Sequence, residues 1–236
     1  MEYTAAGISK RLEALASPEA AEFAQRFFKT GPGQYGAGDL FRGIRVPVLR
    51  KLSVTLDATP LPEVIQLLSS AWHEDRLLAI LLLMRRFQRG TVRDQEGVYN
   101  LYLAHSHRIN NWDLVDISAP HIVGRFLQYS DRSPLYRLVN SSSIWERRIA
   151  IISTAHFIRQ GEFYDTIALA ELLLLDHEEL LHKATGWMLR EVGKRDIAVL
   201  NIFLKEHYRS MPRVMLRYAI ERFPEERRQQ YLKGLA

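Results

Sequence analysis

Five residues set the phase of this chain. Arg76, Trp112, Arg148, Lys183 and Arg217 each precede a short apolar stretch, and successive members lie 36, 36, 35 and 34 positions apart. The stretches are 77–84, 114–117, 149–153, 184–189 and 218–223. Between them run further apolar segments, 98–103, 133–139, 163–175 and 199–208, which read as partner helices. Strand signals are nearly absent: there is no Asn-Gly or Asp-Gly hairpin turn and no sustained alternation. A helix-pair period in the mid-thirties predicts an all-α chain, an α-solenoid of HEAT-like repeats forming one domain over 1–236. The second helix of each pair lines a concave face in such arrays. The five phase residues are therefore expected to look into one aromatic-bearing basic groove, which suits nucleic acid.

Ahead of the repeats, Ile8, Leu12 and Leu15, then Ala20, Phe23, Ala24 and Phe27, follow a helical period broken at Ser17-Pro18. Residues 30–38 hold four glycines and a proline and are expected to form a loop. Val46-Pro47 opens a helix through Leu56, and Pro60-Leu61-Pro62 opens another that ends near Ser69-Ser70.

Composition narrows the chemistry. With no cysteine, the chain has no disulfide framework, no thiol nucleophile and no Cys-ligated metal, which fits a reducing cytoplasm. His105-Ser106-His107 is expected to put its rings on opposite sides of an extended segment, and no other histidines have ligand spacing, so no metal or cofactor is anticipated. Residues 1–16 carry Glu2, Lys10, Arg11 and Glu13 in place of a signal peptide's apolar core, and the longest apolar runs are far too short for a membrane span. The net charge of +5 leans toward a polyanionic partner, with arginine pairs spread along the chain.

The densest chemistry is in Asn110-Asn111-Trp112-Asp113-Leu114-Val115-Asp116. The asparagines read as a helix start, with Asn110 as N-cap and Asp113 in the capping-box position. Asp116 lies beyond the first turn, flanked by Leu114, Val115 and Ile117, four residues after Trp112 and so on its helix face. A carboxylate placed there must be paired, exposed in a cleft, or working. Ser143-Ile144-Trp145-Glu146 is a second capping signature; Trp145 is expected to pack and Arg148 to meet an anion. In Gly186-Trp187 a large ring sits beside a residue with no side chain, and spacing alone makes Trp187 a core residue.

Three blocks carry a family resemblance: Asn-Trp-Asp-Leu-Val-Asp at 111–116, Ile-Trp-Glu-Arg-Arg-Ile-Ala at 144–150, and Lys-Ala-Thr-Gly-Trp-Met-Leu-Arg-Glu at 183–191. Together they resemble the signature blocks of AlkD-like DNA glycosylases, and Gly43-Ile44-Arg45-Val46-Pro47 resembles that family's early loop. The likeness runs in order over roughly residues 20–223. It implies a HEAT-like enzyme that excises N3- and N7-alkylated purines from duplex DNA as a monomer, with no obligate protein partner. By the same likeness Trp112 and Trp187 flank the lesion nucleotide, Asp116 is the catalytic carboxylate, and Arg148 holds the backbone near the lesion. Lys183, Arg217 and Arg76 join it as expected DNA contacts. The family is implied to leave the lesion stacked and to grip its sugar–phosphate edge. Where the family often has a tyrosine in the first helices, this chain has Phe27.

The residue types suit that chemistry. Alkylation at N3 or N7 makes the purine cationic, so the base leaves neutral and no acid is needed. What is needed is negative charge near the sugar as oxocarbenium character grows, which Asp116 can provide while orienting water. Electron-rich ring faces near the cation contribute about 0.5–2 kcal/mol each. The competing readings are a DNA-binding relative without catalysis, a protein-binding scaffold with packed tryptophans, and a lyase using Lys183 as a Schiff-base amine.

Overall fold

The computed structural model describes residues 3–236; Met1 and Glu2, the latter among the N-terminal charges counted above, lie outside the described residues. The fold is all-α, an α-solenoid type of succession of helix pairs. Among the described residues no strand forms, only one isolated bridge between Leu40 and Trp72. No helix among them is long and apolar enough to cross a membrane. The chain packs as two compact units, 1–118 and 119–236.

The first unit contains α1 (Ala5–Glu13), α2 (Pro18–Phe27), α3 (Val46–Thr55), α4 (Leu61–Leu68), α5 (His73–Arg89), α6 (Val92–Ala104) and α7 (Trp112–Ser118). The break between α1 and α2 falls where Ser17-Pro18 predicts it: the Ser17 hydroxyl accepts from the Ala20 N–H and Pro18 starts the helix. α5 is the axis of the unit, with residues 77–83 all buried and α3, α4, α6 and α7 packed around it. Its first turn is unusual, because His73, Glu74, Asp75 and Arg76 are buried as well.

Buried charges survive only when matched, and these are. The Glu74 carboxylate accepts from the backbone N–H groups of Arg42, Gly43 and Ile44 at 2.8, 2.7 and 3.1 Å. Asp75 takes the Arg42 guanidinium at 2.8 Å and the hydroxyls of Ser9 and Ser70 at 2.8 and 3.0 Å. Gly43 makes this cradle possible. Its φ of +77° lies in the left-handed region, and an added Cβ would fall 2.3 Å from the Ser17 carbonyl and 2.5 Å from the Ala21 nitrogen.

The second unit opens with a π-turn at Pro120–Gly124 and continues through α8 (Arg125–Leu127), α9 (Ser133–Leu138), α10 (Ile144–Ser153) and α11 (Ala155–Arg159). It is completed by α12 (Tyr164–Leu172), α13 (Glu179–Arg195), α14 (Ile197–His207), α15 (Arg213–Ala219) and α16 (Glu225–Lys233). Its core includes Leu189, Leu200, Phe203, Leu204, Met215 and Leu216. α13 and α15 approach each other at Gly186, where a Cβ would stand 2.4 Å from the Met215 carbonyl and 2.6 Å from the Tyr218 Cβ. The small residue before Trp187 is thus explained by helix–helix approach.

The repeat phase needs one adjustment. Arg148, Lys183 and Arg217 are each the fifth residue of their helices, and on the same count α7 presents Asp116, not Trp112. Arg76 is the fourth residue of α5. The histidine expectation also changes: Ser106–Arg108 forms a 3-10 turn, and the His105 and His107 rings stack at 6.2 Å instead of diverging.

Candidate functional site

α7 begins one residue later than expected. The Asn111 carbonyl accepts the first helical bond, from the Val115 N–H, and its side-chain oxygen accepts from the Trp112 N–H at 2.8 Å. Asn110, expected as the cap, instead donates to Asp39 at 3.3 Å, and the Asn111 amide donates to the same carboxylate at 3.4 Å. Leu114, Val115 and Ser118 are buried, whereas Trp112, Asp113, Asp116 and Ile117 are half-buried. Trp112 and Asp116, one turn apart, therefore share the partly open face. The Asp116 charge is felt by the buried Tyr102, whose hydroxyl bonds Ser118 at 2.8 Å; burial first, and Asp116 in addition, push that phenol well above its ordinary range.

Trp112 is held by rings that the sequence did not connect to it. Phe28 stacks on the indole at 5.3 Å and 23°, and Phe27 meets it edge-on at 5.9 Å and 67°. Behind Phe28 lie Phe41 and His73, whose rings stack at 4.5 Å. Phe27 thus buttresses Trp112 as an aromatic, a duty that needs no hydroxyl. Asp113 has a structural partner, but not a first-turn N–H: its carboxylate takes His73 Nε2 at 2.8 Å. His73 Nδ1 faces Asp39 at 3.5 Å. Burial alone would lower the imidazole pKa, but the Asp113 charge and hydrogen bond, joined by Asp39, raise it to about 9.

The same Asp39 accounts for Arg76. Its guanidinium meets the Asp39 carboxylate at 2.7 Å and the carbonyls of Ser70 and Ala71 at 3.0 and 3.1 Å, and the residue is only 3% exposed. Arg76 is an internal tie. The expectation that it faces an open groove is corrected: its guanidinium is turned to Asp39 in the interior. A cavity of about 590 Å³ opens beside this network, lined by Phe23, Phe28, Phe41, His73 and Asp113 among others, but neither Trp112 nor Asp116 borders it.

In the second unit the predicted residues divide by exposure. Trp145 is buried at 7% exposure, as its first-turn position suggests, and Ser143 caps α10 through the Glu146 N–H. Arg148 is only 5% exposed and donates to the Leu180 carbonyl at 2.5 Å, tying α10 to the start of α13. It is not an openly presented cation, which corrects the expectation of a side chain standing in a groove. Lys183 is half-exposed and pairs with Glu179 at 2.6 Å. Arg217 is exposed. Trp187 departs from the core reading: it is half-buried, with its indole N–H donating to Glu191 at 3.2 Å.

The family model for DNA alkylation repair enzyme matches residues 8–223. The chain belongs to the DNA alkylation repair enzyme family. The fold agrees: a solved structure described as a predicted DNA alkylation repair enzyme from Enterococcus faecalis superposes with a TM-score of 0.68. That alignment covers 89% of this chain and 97% of the other at 18% identity, so it speaks to the fold alone. The search of curated proteins gave no match. Membership makes this an enzyme family of alkylation repair with DNA as its substrate. Trp112 and Asp116 lie on the half-open face of α7, and Trp187 on that of α13.

Proposed function

We propose that this repair enzyme is a monofunctional DNA glycosylase. It hydrolyses the N-glycosidic bond of cationic N3- and N7-alkylated purines, such as 3-methyladenine and 7-methylguanine, in duplex DNA. It acts as a monomer without metal or cofactor. The observation that carries the reading is the pairing on α7: Asp116 one turn after Trp112, both half-buried on one face, with Trp112 braced by Phe28 and Phe27. An indole fixed in orientation presents its ring face to a cation at little further entropic cost. A carboxylate on the same face, beside buried Leu114 and Val115, interacts with developing positive charge more strongly than one in bulk water.

In this mechanism Asp116 stabilises the oxocarbenium-like sugar and orients the attacking water, while Trp112 and Trp187 contact the lesion nucleotide. Lys183 and Arg217 supply phosphate contacts, and Arg148 orders the start of α13 from within. The environment of Lys183 speaks against a lyase route, since its amine is half-exposed and paired with Glu179, the opposite of the desolvated setting that frees an amine as nucleophile. The test is release of free 7-methylguanine and 3-methyladenine from methylated duplex DNA in chelator-treated buffer. Release leaving intact abasic strands supports the reading. No release at any enzyme concentration, with the duplex still bound, would leave a DNA-binding relative without this chemistry.

A further inference from the structure

The second unit carries a cluster of basic side chains that none of the residues discussed above explains. The π-turn ending at Gly124 brings this segment against α10 and α11 at very short range: a Cβ on Gly124 would lie 2.3 Å from the Ser153 carbonyl and 2.8 Å from the His156 Cβ. That approach sets His121 and Arg125 beside His156 and Arg159. His156 is half-buried and bonds Gln128 at 2.7 Å across the same junction, while His121, Arg125 and Arg159 are exposed. Neither Arg125 nor Arg159 makes an ion pair among the described residues. The nearby carboxylate of Glu162 is engaged by Arg132 at 2.5 Å.

A helix C-terminus favours cations, which is a sufficient reason for Arg159 as the last residue of α11. Arg125, in the last turn of α8, has the same local reason, but the dipole does not account for two arginines from different segments converging beside His156. The local field is also left unbalanced. Burial, then the charges of Arg159, Arg125 and His121, hold His156 below its ordinary range, with Glu162 opposing only weakly. Two exposed guanidiniums gathered from two chain segments, neither in an ion pair among the described residues, are suited to an anion with several oxygens.

We propose that Arg125 and Arg159 form a phosphate-binding subsite for the DNA backbone, with His156 beneath them and His121 at its edge. The subsite rests on DNA being the substrate, and it is separate from Arg148. Arg159 lies eleven residues further along the α10–α11 run, about 16 Å at 1.5 Å per residue, so the two cannot serve one phosphate. Its role is affinity and placement of the duplex, not bond cleavage.

The experiment measures binding of a fluorescein-labelled, unmodified duplex by anisotropy across a salt series. The proteins are the full chain, the Arg125→Ser/Arg159→Ser variant, and a Lys205→Ser/Lys233→Ser control. The control removes the same charge from exposed positions on α14 and α16. The subsite variant is expected to bind more weakly at every salt concentration, with a log–log slope shallower by about two units, since each phosphate contact contributes about 0.9. The control slope should stay within a few tenths of the parent. An unchanged slope in the subsite variant, or an equal fall in the control, overturns the proposal. Single-turnover release of 7-methylguanine at saturating protein is read in parallel, and the Lys205→Ser/Lys233→Ser control is expected to match the parent. Loss of release by the parent itself would sink the glycosylase reading while the slope comparison still decides the subsite.

Discussion

The starts of α5 and α13 occupy comparable places in the helix-pair order but use charge in opposite ways. At α5, four consecutive charged residues are buried, and each is matched: Glu74 by three backbone N–H groups, Asp75 by Arg42, His73 by Asp113, Arg76 by Asp39. At α13 the acid–base pair Glu179–Lys183 sits at the surface, and Arg217, its counterpart on α15, is exposed. A basic residue recurring in a repeat slot is therefore not one function repeated. Where neighbouring segments bring buried acceptors, Asp39 for Arg76 and the Leu180 carbonyl for Arg148, the slot becomes a structural tie; at Arg217 it remains a surface cation.

The sharpest way to break this contrast is to remove the tie. Arg76→Ala leaves Asp39 buried without its closest cation, and losing one partner of a buried pair costs roughly 3–5 kcal/mol. Chemical denaturation should register that loss, whereas Arg217→Ala should leave stability within about 0.5 kcal/mol of the parent. Equal stability in the two variants would erase the distinction. Tryptophans extend the comparison: Trp145→Ala should cost about 3–5 kcal/mol by emptying a core site, and Trp187→Ala distinctly less, because its ring is half-exposed. Thermal melts of the two variants decide between them.

Next in size is a pH effect. His73 titrates near 9 in the folded protein against about 6.5 unfolded, so its contribution is fully present below 6.5 and is lost as pH rises through about 9. The shift corresponds to the order of 3 kcal/mol. His73→Gln should flatten stability between pH 6.5 and 9 relative to the parent; parallel pH profiles for the two proteins would mean the imidazole carries no such charge. The smallest effect belongs to Arg217→Ala on DNA. Its salt slope should be shallower by about one unit with no change in melting temperature, and an unaltered slope would remove Arg217 from the backbone contacts.

Much of the architecture was legible in the sequence because helix pairs leave local marks. The break at Ser17-Pro18, the Pro47 and Pro62 helix starts and the Ser143 cap all depend on residues within a turn of each other, and all appear where expected. The phase residues were less reliable. Arg76 and Arg148 have the spacing of groove residues, but their burial is decided by Asp39 and the Leu180 carbonyl, 37 and 32 positions away. Spacing on one helix carries no information about such partners. The bracing of Trp112 by Phe28 was hidden for the same reason, since 84 residues separate the two rings. The His-Glu-Asp-Arg run at 73–76 was the overlooked signal: four adjacent charges directly before eight apolar residues imply that some are buried and paired.

The central claim is that the open face of α7 performs the chemistry, and Asp116→Asn addresses it most directly. The substitution keeps the size and shape of the side chain while removing its charge. Single-turnover release of 7-methylguanine should fall by about 10²–10³, the scale of one lost transition-state electrostatic contact. Duplex affinity and melting temperature should stay close to the parent. Release at the parental rate by Asp116→Asn would contradict the account, and it would return the α7 carboxylate to a purely structural role.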